Sequence, residues 1–171
     1  MGRLRVLSGR EVCRILEQHG FSSKRDLLTI GATVVGGAAL AAEGLVIRRC
    51  AHSVEETISR LERAIGDRNL VVVARVDHAG AAQKAGLTLR PTQLLMFGHP
   101  RSGTPLMGRA QSVGIDLPLK ALVWQDDQGQ VWLAYNDPAW IAARHGLKEP
   151  AQVLRAMAST LEALTDAATK P

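Results

Sequence analysis

Capping and turn signals recur from Ser53 to Leu147, and their order constrains the fold more than any other feature of the chain. Ser53 with Glu56 is a capping box: a hydroxyl and a carboxylate three residues apart satisfy two free amides at a helix start. Val54, Ile58, Leu61 and Ile65 come next at helical spacing, one apolar stripe on a helix that Gly66 ends. Leu70 to Val76 is a β-branched run, which predicts a largely buried strand. Residues 78–86 read as a helix stopped by Gly86, and Thr92 to Phe97 as a further strand. The stretch from Gly98 to Pro118, broken by Gly and Pro, predicts one short helix near Leu106–Ser112. Ala121–Trp124 and Val131–Tyr135 flank Asp126-Asp127-Gln128-Gly129, the chemistry of a hairpin turn, which sets Trp124 and Trp132 on adjacent strands.

Asp137 then caps a helix with Pro138 at its first position, and Gly146 stops it. Val153, Met157, Leu161, Leu164 and Ala168 make a long amphipathic helix that needs a surface to cover. With Leu45–Ile47 as a first short strand, strands that pair as hairpins and helices that segregate predict an α+β fold: an antiparallel sheet with helices packed on one face. Of the 171 residues, 46% are hydrophobic, enough for one sizeable core.

The formal charge is +5, and residues 1–25 carry +4 of it. The rest of the chain is nearly neutral, which argues against nucleic-acid binding by this domain. The front of the chain divides in two. In residues 1–21, Ser8 caps a short helix carrying Val12, Ile15 and Leu16, with Gly20 as its stop. Residues 22–42 hold a basic start (Lys24, Arg25), an uncharged run from Leu27 to Ala42, and Ala39-Leu40-Ala41 as a small-x-small cleavage site. That is the pattern of an export signal and too short for a stable membrane span. The expectation is an exported or periplasmic protein, or a cytoplasmic one where the N-terminal extension blocks export. Ser23-Lys24-Arg25 before Leu27-Leu28 resembles a twin-arginine signal with Lys in the first arginine place; a Sec signal is the other route. The expected division is therefore 1–21, 22–42, and a globular domain over 43–171.

Two resemblances accompany this reading. Val6-Leu7-Ser8-Gly9 through Gly20-Phe21 resembles the start of HicA-like mRNA interferase toxins, whose catalytic histidine segment has no counterpart after Phe21. It implies a remnant, and as an alternative function a toxin–antitoxin-related mRNA-binding protein. Residues 44–147 resemble the bacterial and archaeal DUF302 family. The residues that carry the match are Asp77-His78-Ala79, Leu89-Arg90-Pro91-Thr92, Leu94 to Gly98, Gly103-Thr104-Pro105-Leu106-Met107, Asp116-Leu117-Pro118-Leu119 and Trp132 to Pro138. This resemblance implies a TATA-binding-protein-like arrangement and a homodimer, and brings no established activity. The family often has Asn where this chain has His99.

Three constellations bear on chemistry. Asp77-His78 is either a carboxylate–imidazole pair, as general base or oriented metal ligand, or a helix cap with a first-turn His. His78 and His99, with Asp77 and Asp116, would suit a divalent metal if the loops converge, His78 and His99 being the metal candidates. Lys84, Arg90, Arg101 and Lys120, with Tyr135 and Asn136, would suit a small anionic ligand over the sheet. No Gly-x-Ser-x-Gly, P-loop or Gly-x-Gly-x-x-Gly occurs, and Cys13 and Cys50 have no metal-ligand spacing. The expectation is thus a non-catalytic domain binding a small ligand or metal, with Asp77, His78, His99, Arg101, Asp116 and Asn136 as candidate contacts. An enzyme using Asp77-His78 as base is the remaining alternative.

Overall fold

The computed structural model describes residues 42–148 and 151–171. The strands are β1 (Leu45–Arg49), β2 (Val71–Asp77), β3 (Thr92–Gly98), β4 (Leu119–Gln125) and β5 (Val131–Asn136). The helices are α1 (Val54–Gly66), α2 (His78–Lys84), α3 (Pro100–Met107), α4 (Pro138–Arg144) and α5 (Ala151–Thr169), with a 3-10 turn at Gln111–Ile115. The strands form one antiparallel sheet in the order β1-β5-β4-β3-β2. β2 to β5 is a meander, and α1 carries the chain from one edge of the sheet to the other. The expected α+β architecture is the observed one.

Alternation along the strands builds the core. Leu95 and Phe97 of β3, Ala121 and Val123 of β4, and Val131, Leu133 and Tyr135 of β5 are buried on one face. Against them pack Ile58, Leu61 and Ile65 of α1 and Leu161, Leu164 and Ala168 of α5. Full burial of each large aliphatic side chain contributes roughly 1.5–3 kcal/mol as an upper estimate. The caps are where local chemistry puts them: Ser53 Oγ accepts the Glu56 amide at 3.2 Å, and Asp137 Oδ1 accepts the Ala139 amide at 2.8 Å. Trp124 and Trp132 stand directly opposite each other across the β4–β5 hairpin. The turn between them is held by Asp126, whose carboxylate accepts the amides of Gln128 and Gln130 and the Trp132 indole N–H.

Two expectations are corrected. The Val71-Val72-Val73 run is an exposed edge, not a buried strand: these residues are 54%, 37% and 58% exposed. β-branched residues favour the extended backbone wherever the strand lies, so the run marks a strand without marking its position. The register also shifts between Val72 and Ala74, an irregularity that blunts an open edge. The helix expected near Leu106–Ser112 begins earlier, at Pro100, because the His99 ring caps it and Pro100 takes its first turn. The helix ends at Met107, and after a break at 108–110 the 3-10 turn takes only the last two residues of the expected span, Gln111 and Ser112. The toxin-like residues 1–21 and the signal-like segment 22–42, apart from Ala42, lie outside the described residues.

Candidate functional site

Strand register decides which candidate residues meet. β2 and β3 pair with Val71 opposite Gly98 and Asp77 opposite Gln93. Asp77-His78 therefore sits at one end of this pair and His99 at the other. Six residues of strand at roughly 3.3 Å each separate them, about 20 Å. The expected metal pair His78–His99 is not assembled, and among the described residues no group of three His, Cys, Asp or Glu side chains is placed to hold a metal. Asp77 is a helix cap: its Oδ1 accepts the Gly80 amide at 2.9 Å.

The expected basic pocket is likewise dispersed. Arg90 donates to the Gln125 carbonyl at the Asp77 end of the sheet, while Arg101 lies on α3 at the other end. Lys120 Nζ is taken by the carbonyls of Asp116 and Pro118. Tyr135 is in the core, and Asn136 ends β5, two strands away from β3.

The His99 end of the sheet does hold a cavity. It measures about 510 Å³ and lies between the β2 edge, the end of β3, α3, and the segment from Gly114 to Leu119. Its walls are mainly aliphatic: Val71, Val73, Met107, Leu117, Leu119 and Met157. The polar exceptions are His99, Ser102 and Thr104. A smaller cavity of about 170 Å³ shares Gly98, His99, Ser102, Leu119 and Met157 with the first and adds Arg101. His99 is half-fixed by its capping role: Nδ1 accepts the Arg101 amide at 3.1 Å, so the ring proton is on Nε2. No carboxylate pairs with the Arg101 guanidinium among the described residues.

A buried polar network anchors the segment leading to the cavity wall. Asp116 is 9% exposed, and its Oδ2 lies 2.7 Å from His145 Nε2. Arg144 Nη1 reaches both carboxylate oxygens at 3.1 and 3.3 Å. On the far side of the ring, His145 Nδ1 lies 2.9 Å from Ser112 Oγ. The carboxylate accepts from His145 Nε2, and in the neutral ring Nδ1 then accepts from the Ser112 hydroxyl. Hydroxyl, imidazole and carboxylate are connected as in a nucleophile–base relay. However, Ser112 lines neither cavity, and Arg144 shares the carboxylate. What the network does is pin residues 111–118 to the end of α4.

Asp116 stands among the ligands expected from sequence, but its partners do not. Arg144-His145-Gly146 reads locally as a helix end and no more, since basic residues there suit the dipole. The signal that points to the network is Asp116 itself: a carboxylate flanked by Ile115 and Leu117 is buried only if donors come to it.

Among the described residues, no helix is long and apolar enough to cross a membrane. Comparison with solved structures finds an uncharacterized conserved DUF302 protein from Bacillus stearothermophilus. The match has a TM-score of 0.66 and 22% identity, covering 74% of this chain and 99% of that one, a likeness of fold. Among characterised sequences, the chain is 49% identical over 104 residues to the fluoride-specific ion channel FluC 1 of Brucella suis and to FluC 1 of Brucella abortus. The match covers 61% of this chain but only 41% and 38% of those proteins, so the chain spans about two fifths of their length. The family model for the domain of unknown function DUF302 matches residues 46–164, and the chain belongs to that family.

Proposed function

We propose that this domain is a small-molecule-binding module whose site is the cavity at the His99 end of the sheet. One observation carries the reading: a concave, mainly aliphatic space of about 510 Å³ with a few polar groups at its wall. Ligand sites have that size and composition, whereas a gap left by poor packing is far smaller. Gly103 gives a direct test. A Cβ there would lie 3.4 Å from Leu117 Cδ1 and 3.8 Å from Met107 Cε, so a longer side chain projects among the lining residues. Native mass spectrometry of the folded chain from its host should show a retained small molecule that Gly103→Leu loses. A wild-type chain of apo mass, with no stabilisation by any aliphatic compound in a thermal-shift panel, contradicts the proposal.

The 49% identity favours a second reading, in which the domain serves as an accessory to a fluoride channel. It expects deletion of the domain-encoding segment to alter fluoride tolerance of the host; unchanged tolerance removes it. Export and homodimer formation, the other expectations, are tested by mapping the mature N-terminus and by sedimentation. An intact Met1 or Gly2 in the cytosol excludes the first, and a monomer at micromolar concentration excludes the second.

A further inference from the structure

We infer that the cavity takes an aliphatic monocarboxylate, its tail among the apolar walls and its head between His99 and Arg101. The inference rests on the ligand-binding reading above and adds the ligand class. Three features of the site lead to it. First, none of the described residues lining the larger cavity is charged, so a ligand there must present a hydrocarbon body. Second, the shared wall carries one oriented donor. His99 Nδ1 is held by the Arg101 amide, which leaves the Nε2 proton free for an acceptor, with the Ser102 hydroxyl beside it on the same wall. Third, Arg101 lines the adjoining 170 Å³ cavity. Its guanidinium has no carboxylate partner among the described residues, so a positive charge stands next to an aliphatic space.

Donors and a cation call for an acceptor bearing negative charge. An ammonium head on the same chain would find no carboxylate among the described lining residues of either cavity. An alcohol would satisfy His99 but leave Arg101 to water.

The test is calorimetric titration of the full chain with decanoate, decanol and decylammonium, each below its aggregation concentration. Decanoate should bind about tenfold more tightly than decanol, the difference expected when a hydrogen bond becomes charge-assisted. Decylammonium should bind more weakly than either. Arg101→Gln should erase the decanoate advantage and leave decanol within about twofold of its original affinity. His99→Asn, which keeps a capping side chain but shortens the donor, should weaken decanoate and decanol together. Equal binding of the three heads, or a decanoate preference that survives Arg101→Gln, overturns the inference while the ligand-binding reading stands. Failure of all three to bind overturns the inference, and the ligand-binding reading falls with it only where the native mass is that of the apo chain and the thermal-shift panel is also negative.

Discussion

Removing the Asp116 carboxylate should cost far more than removing the arginine that pairs with it. In Asp116→Ala the His145 ring, whose side chain is only 7% exposed, loses its acceptor in a place largely closed to solvent. A buried donor left unpaired costs about 1–3 kcal/mol, and the lost charge-assisted bond adds to that. Arg144 is 48% exposed, so its guanidinium is rehydrated and its share is small, below about 1 kcal/mol. The expected loss for Asp116→Ala is therefore about 2–4 kcal/mol. For a domain of this size that corresponds to a fall in Tm of roughly 10 °C. Urea unfolding monitored by circular dichroism, with Arg144→Ala and Ser112→Ala alongside, measures it. Arg144→Ala should cost below about 1 kcal/mol, and Ser112→Ala about 0.5–1.5 kcal/mol. A loss under about 1 kcal/mol for Asp116→Ala, or an equal loss for Arg144→Ala, refutes this ordering.

Other consequences attach to single residues. Burial raises the Cys50 thiol from about 9 to about 11, so the folded state holds its proton more tightly than the unfolded one. The stability this contributes is whole below pH 9 and lost as pH rises to about 11. In a Cys13→Ser background, Cys50 should react with a thiol reagent at pH 8 only as fast as the chain opens; rapid stoichiometric labelling would contradict its burial. The Trp132 indole N–H, helped by the Gln130 and Gln128 amides, holds the Asp126 carboxyl below its usual range. Its stabilising effect is present above about pH 4 and fades as pH falls through the lowered value, so Asp126→Asn should flatten the acid limb of the stability curve. A limb of unchanged slope would count against the turn network. Gly146 has φ of 64° with nothing near its absent Cβ, whereas Gly66 is equally open but has no positive φ. Gly146→Ala should therefore lose about 1–2 kcal/mol, and Gly66→Ala should be neutral or slightly stabilising; equal effects would show that backbone strain is not the cause.

Legibility tracked the range of the interaction. Ser53, Asp77 and Asp137 cap helices through amides two or three residues away, and Gly86 and Gly146 stop helices by their own backbone, so local pattern sufficed. The Trp124–Trp132 pairing needed only the turn between them. The β2 strand was readable as a strand, but its place at an edge depends on α1 crossing the sheet, which no local signal encodes. The candidate site failed in the same way. Asp77, His78, His99 and Asp116 look alike as chemistry, yet antiparallel register sends the first two to the opposite end from His99. The Asp116–His145 contact joins residues 29 positions apart across two strands, the turn between them and α4. The cavity arises from the packing of α3 and the 114–119 segment against the edge of β2, which composition alone does not show.

Methionine methyl resonances test the ligand-binding claim most directly. Met107 and Met157 line the cavity, while Met96 lies on β3 outside its walls. In a chain labelled with ¹³C at the methionine methyls, titration with decanoate should shift Met107 and Met157 saturably and leave Met96 in place. Gly103→Leu should abolish both shifts without lowering the melting temperature. Shifts at Met96 alone, equal shifts at all three, or none at any concentration below aggregation would contradict the account.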